Sequence, residues 1–317
     1  MLTAELRRTI LTAAGTPDDD PLLRPGPEPG SYTTSLPFRI SQEAARSLAT
    51  TLTTEPWIAT ADLTGPGYLT VTVTHNALAG LAVRIARAGP ACAASDALRG
   101  RTVPGPPAAD PAAAPDWPSA RAALAAQLTA RLAATAGATT TFYAERSVAT
   151  PPDPGSPVPV AVAYAGPDAV RFALARMPPG GTPPDAEVIA RHIVGNAAYA
   201  VRYAHAAAAA VLRWAAALGT EPGGFQPRLL NEPVELALLD ALSWLPERVA
   251  MAARRGRPDE FAGYLEELAA RTIDTMSTTG FTMISSISSE RLWLADAART
   301  ALAAGLGLLG VDAPERT

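Results

Sequence analysis

His192, Asn196, Tyr199 and Tyr203 recur at spacings of four, three and four in RHIVGNAAYAVRYAHA, so a helix puts them on one face. Two phenols, an imidazole and an amide on one stripe suit two tasks. They can line a contact with a neighbouring helix, or they can present rings on which unpaired bases stack. Both readings stand on the sequence. Arg191, Arg202, Arg213 and Arg316 are the cations that would accompany a stripe facing RNA. Covalent and metal chemistry fit less well. The three histidines, His75, His192 and His205, are scattered, and one cysteine, Cys92, can neither form an internal disulfide nor build a cysteine-rich zinc site. The serine run ISSISSE, 284–290, has no evident base and reads as a solvated loop.

The basic residues carry a second signal. There are 26 of them in 317 residues and none is lysine. A phosphate-binding P-loop and a Schiff base each need a lysine, so both are excluded. The formal net charge of -4 argues against strong non-specific binding to nucleic acid, so RNA binding must rest on local arginine patches. Between Val160 and Thr317, fourteen arginines stand against seventeen acidic residues, a balance that suits a protein-docking surface instead. No apolar run approaches the roughly 18 residues of a membrane span. The amphipathic start MLTAELRRTILTAAG carries Glu5 and lacks a signal-peptide core, so the expected location is cytoplasmic, with no membrane, no metal and no cofactor.

The elements that must position these residues fall into three stretches. Residues 1–99 read as a small α/β unit. A helix starts at Ser41, and a strand pair turns at Gly65-Pro66-Gly67, with Leu69, Val71 and Val73 on the buried face. ALAGLAVRIARAG then forms a closing helix. Residues 100–158 begin with GRTVPGPPAADPAAAPDWP, too rich in proline for a helix or a central strand, and read as an irregular arm. Ser119 is placed to cap a helix that stops at Gly137, and TTTFYAERSV fits a short strand. Residues 159–317 read as a helical bundle in which a helix opens after Thr182-Pro183-Pro184, with Asp185 and Glu187 in its first turn. The fold class expected is therefore α+β.

The order of motifs resembles arginyl-tRNA synthetases. GSYTTSLPFRIS (30–41) and TGPGYLTVTVT (64–74) are similar to the family's N-terminal additional domain, and AGPACAASDALRGRTV (88–103) to the stretch leading into its catalytic domain. AGPDAVRFALARMPPG (165–180) resembles the opening of the family's anticodon-binding domain, named DALR for a four-letter motif. VGNAAYAVRYAHAAAAAVLR (194–213), NEPVELALLDALSWLPERV (231–249), FAGYLEELAA (261–270) and GLGLLGVDAPERT (305–317) follow in the family's order. Asp96-Ala97-Leu98-Arg99 spells the four letters by coincidence, in the wrong region.

The resemblance implies a tRNA-directed protein that has lost the family's chemistry. In ADPAAAPDWPSAR (109–121), Asp116 and Ser119 stand where the family has its two ATP-site histidines, and Pro118 stands for a glycine. An aspartate there would repel the triphosphate. After ATTTFYAERS the sequence passes directly to the anticodon-domain opening, so a degenerate remnant of the nucleotide-binding fold is expected, and no arginine-tRNA ligase activity. The resemblance also implies the contacts. Tyr68 is kept where the family touches a D-loop base, and Thr70 replaces its asparagine; a packing role for Tyr68 remains equally open. Asn196, Tyr199, Tyr203 and His205 match the anticodon helix, whereas Arg202 replaces a glutamine. Met276 falls near a tyrosine position, and Arg316 and Thr317 end the chain, the latter replacing a methionine. The expected partners are a tRNA, of arginine-acceptor type, and an enzyme to which it is presented, for tRNA modification or aminoacyl-tRNA-dependent biosynthesis. The alternative is a protein-docking scaffold that no longer binds tRNA.

Overall fold

Leu2, Leu6 and Ile10 follow one another at four-residue spacing in the first helix, α1 (Leu2–Ala13), and all three are buried. The computed structural model describes residues 1–16, 19–65, 67–105, 109–141, 155–283 and 287–316. After α1 come β1 (Arg24–Pro25), β2 (Ser31–Thr34) and α2 (Gln42–Leu52), the helix expected from Ser41. The Ser41 hydroxyl accepts the Ala44 amide and caps it. β3 (Ile58–Thr64) and β4 (Tyr68–Val73) form the expected pair, with Leu69, Val71 and Val73 buried. The antiparallel sheet runs β1-β2-β4-β3. The closing helix is split at Gly80 into α3 (His75–Ala79) and α4 (Leu81–Ala88).

The proline-rich arm is more ordered than its composition predicts. β5 (Thr102–Pro104) lies within it and pairs in parallel with β6 (Thr139–Thr141), joined by α5 (Trp117–Thr135). Proline is tolerated because each strand of a two-stranded sheet is an edge. Parallel strands need a crossover and α5 supplies it, so a minimal β-α-β unit stands where the sequence suggested a remnant. The helix starts at Trp117, three residues earlier than a Ser119 cap implies, because Asp116 takes the capping role. Gly137 ends it with φ +92, close against the backbone of Ser95 and Asp96. The remainder of TTTFYAERSV, residues 142–148, lies outside the described residues.

The bundle comprises α6 (Pro157–Ala165), α7 (Pro167–Arg176), α8 (Ala186–Ile189), α9 (Ala197–Ala217), α10 (Pro233–Ser243), α11 (Leu245–Arg255), α12 (Pro258–Met276), α13 (Thr279–Thr282) and α14 (Ser289–Leu309). The architecture is α+β with a helical C-terminal half. α14 is long and apolar enough in composition to cross a membrane, yet it is packed against α4, α9 and α12 as a core helix. At Gly305 it approaches α12 so closely that a Cβ would overlap Leu265. Arg171 and Arg131 donate to the carbonyls of Leu309, Gly307 and Leu308, where the negative end of the α14 dipole sits.

One apolar core runs through all three stretches, from Leu2 to Val311. The seam between sheet and bundle is also hydrogen-bonded. Tyr32 donates to Ser243 Oγ at 2.8 Å, Thr3 donates to the Ser243 carbonyl at 2.6 Å, and Asp240 accepts the Gly30 amide at 2.9 Å. His75 Nε2 lies 2.8 Å from the Leu230 carbonyl. Buried Glu247 is bridged by Arg7 and Arg254. Burial raises its pKa against the opposing pull of Arg7 and Arg248.

Candidate functional site

The aromatic stripe is built at a helix start, and the helix is shorter than the spacing implied. α8 ends at Ile189, a loop carries His192, and α9 begins at Ala197 with Asn196 as its cap. Asn196 Oδ1 accepts the Ala198 amide at 3.2 Å, while Nδ2 donates to the carbonyls of Ile189 (2.7 Å) and Arg191 (2.8 Å). Both of its donor hydrogens are thus engaged within the protein, and Asn196 is buried. Its function in this arrangement is to clamp the loop onto α9. The clamp returns His192 to the face it would have held in a continuous helix. Its ring stacks on Tyr199 at 5.4 Å between centroids and 10° between planes, and Tyr199 stacks on Tyr203 at 5.8 Å and 20°. Three rings therefore form a ladder whose His192 end is exposed and whose Tyr203 end is 37% exposed. Offset parallel rings leave an outer face on which a further ring can stack.

Beyond Tyr203 the ladder opens into a groove of about 520 Å³. Ala207 and Ala210 give it a floor of small residues, Trp214 continues the same face of α9, and Met276 and Phe281 wall it from α12 and α13. Met276 is buried and offers only an apolar edge. Arg213 and Arg316 line it together with Glu315, which leaves one positive charge in excess. The chain's last residues are pinned across α9: Arg213 Nη1 donates to the Glu315 carbonyl at 2.7 Å, and His205 Nδ1 lies 2.9 Å from the Pro314 carbonyl. His205 is buried under this tail, and burial lowers its pKa. Thr317 lies outside the described residues.

The four arginines expected near the stripe are not equivalent. Arg213 and Arg316 line the groove. Arg191 is exposed beside His192, and among the described residues its side chain has no hydrogen bond or ion pair. Arg202 faces Asp168 at 3.7 Å, so its charge is already opposed, and its Nε is buried without a hydrogen-bond partner. Trp214, 58% exposed, was missed by the sequence reading. The signal existed: Tyr203, Ala207, Ala210 and Trp214 continue the spacings of four, three and four.

The second candidate surface lies on the sheet. Tyr68 is 38% exposed at the start of β4 and meets Phe38 edge to face at 5.1 Å. Thr70 Oγ1 sits between the hydroxyls of Thr33 and Thr64, at 3.4 and 3.3 Å. A packed ring and a threonine ladder leave Tyr68 half available and Thr70 occupied. At the third locus, Asp116 accepts the Ser119 amide at 2.8 Å, and that bond, with help from the Ser119 hydroxyl, holds its carboxyl below the usual range. Asp116, Pro118 and Ser119 are the cap and first turn of α5. Among the described residues, no group of three or more histidine, cysteine or acidic side chains is placed to hold a metal.

Residues 201–316 match the DALR anticodon binding domain. Curated relatives are arginine–tRNA ligases. The chain is 41% identical over 157 residues to that of Clavibacter sepedonicus, covering 48% of this chain and 28% of the relative. It is 38% identical over 161 residues to that of Paenarthrobacter aurescens, covering 49% and 29%. The matched portion therefore spans under a third of these relatives' length. Among solved structures, the arginyl-tRNA synthetase of Thermus thermophilus aligns with a TM-score of 0.42 and 21% identity, over 99% of this chain and 58% of that one.

Proposed function

We propose that this protein binds a tRNA, of arginine-acceptor type, through the ring ladder and groove of α9, and presents it to a partner enzyme without charging it itself. The observation that carries the reading is the ladder His192–Tyr199–Tyr203, which ends in a positively charged groove inside the segment matching an anticodon binding domain. A face of this kind suits the splayed bases of an RNA loop, where aromatic rings supply affinity and arginines hold the backbone. The absence of aminoacylation rests on two features. The residues standing for the ATP-site histidines act as a helix cap, and lysine is missing throughout. A cytoplasmic location accords with such a role.

Retention of total tRNA by the purified protein, with sequencing of what is kept, tests this reading. Enrichment of arginine acceptors that weakens in Tyr203→Ala supports it. Retention that ignores Tyr203→Ala, or synthesis of arginyl-tRNA by the chain alone, overturns it. The reading of a protein-docking scaffold draws support from the acidic excess of the C-terminal half and from the ion pairs in which many of its arginines are held. Absence of tRNA retention at low salt would favour it.

A further inference from the structure

A second cavity, of about 460 Å³, opens at the seam between the β1 segment and α11, away from the aromatic groove. Its charge balance is uneven. Asp20 and Glu247 are the carboxylates on its wall, and Arg7 and Arg254 bridge both of them. Arg255 is paired with Glu260. Two arginines are left over. Among the described residues, Arg24 makes no side-chain hydrogen bond or ion pair. Arg248 lies over the rings of Trp244 and Tyr264, 5.8 Å from each centroid, and pairs with no carboxylate, although it adds to the field at Glu247. Arg248 Nε is buried with no acceptor, and so is Arg254 Nε.

We infer that this cavity binds a small organic phosphate, its phosphoryl group held by Arg24 and Arg248 and its apolar part set against Leu22, Leu23 and Met251. A phosphate monoester carries about -1.5 to -2 at neutral pH, which matches the surplus of two arginines. The guanidinium fork suits its oxygens. The volume falls in the range of small-molecule sites, about 300–1,000 Å³. This site is independent of the proposed tRNA groove.

The test is a calorimetric titration of the full chain with inorganic phosphate and with phenyl phosphate at fixed ionic strength. Saturable binding is expected for both, several-fold tighter for phenyl phosphate because of the apolar wall. Arg248→Gln should weaken it at least tenfold and Arg24→Ala at least threefold, while Arg46→Ala on α2 leaves it unchanged. Arg24 lies exposed on a two-residue strand, so its variant reports even if Arg248→Gln fails to fold. The source of the phosphate is read from tRNA retention. If Arg24→Ala lowers retention and phenyl phosphate displaces the tRNA, the phosphate belongs to RNA; indifference to Arg24→Ala leaves it on a free small molecule. No saturable binding of either probe, or binding that is equal in wild type, Arg24→Ala and Arg248→Gln, overturns the inference.

Discussion

Tyr32 and Ser243, 211 positions apart in sequence, share a buried hydrogen bond of 2.8 Å that ties the sheet to the bundle. The Ser243 hydroxyl in turn donates a hydrogen bond to the Asp240 backbone carbonyl, so the bond is one link of a short chain. Tyr32→Phe removes the donor and leaves Ser243 with that second partner. The expected loss is about 1 kcal/mol of unfolding free energy, measured by urea denaturation. A loss beyond about 3 kcal/mol would mean that the ring, which packs on Trp244 at 5.4 Å, has moved.

Tyr203→Ala should lower tRNA affinity by about 1–3 kcal/mol, the range for loss of one stacked base, and alter thermal stability little because the ring is 37% exposed. Filter binding beside a melting curve separates the two effects.

Asn196→Ala removes a helix cap and frees two loop carbonyls. The expected cost is about 1–2 kcal/mol. The more telling readout is Tyr203 itself: once His192 is no longer clamped, tRNA binding should fall although both donor hydrogens of Asn196 are taken up within the protein. Unchanged tRNA binding in a destabilised Asn196→Ala protein would show that the ladder needs no clamp.

Acidification should act through His205. Burial holds its pKa below the ordinary 6.5, so the folded protein resists the proton that the unfolded chain accepts. Its contribution to stability is complete above pH 6.5 and is lost as the pH falls from there toward the folded-state value. Asp240 and Glu247 are shifted upward by burial and act with the opposite sign, so the comparison must be made against His205→Gln. Between pH 7 and 5.5 the wild type should lose more thermal stability than that variant.

Gly305→Ala places a methyl group where Leu265 sits. Overpacking of this kind costs about 1–3 kcal/mol, read by chemical denaturation.

Much of this architecture was legible because short-range rules governed it. Ser41 caps where its hydroxyl predicts, and Leu69, Val71 and Val73 are buried as period-two alternation requires. The errors came where a long-range contact decided the matter. Thr102 and Val103 form a strand inside a proline-rich run because Thr139 and Thr140 lie beside them, a pairing that no local pattern announces. The spacing from His192 to Tyr203 implies one continuous helix face, whereas His192 sits in a loop ahead of α9 and reaches the stack because Asn196, the cap, bonds the carbonyls of Ile189 and Arg191. Arginine count said little about where charge is available. Arg202 is opposed by Asp168, and the unpaired Nε atoms of Arg248 and Arg254 lie at a seam that only folding creates.

The continuous core has a consequence for how an RNA would be selected. Tyr68 and the ladder sit on parts of the chain that cannot slide past one another, since Tyr32, Gly30 and His75 are bonded to α10 and the segment before it. Under the proposed function the two surfaces would act as the jaws of a fixed gauge. Such a gauge would read the distance between two features of a folded RNA, and would reject a molecule of correct loop sequence whose elbow is opened or closed.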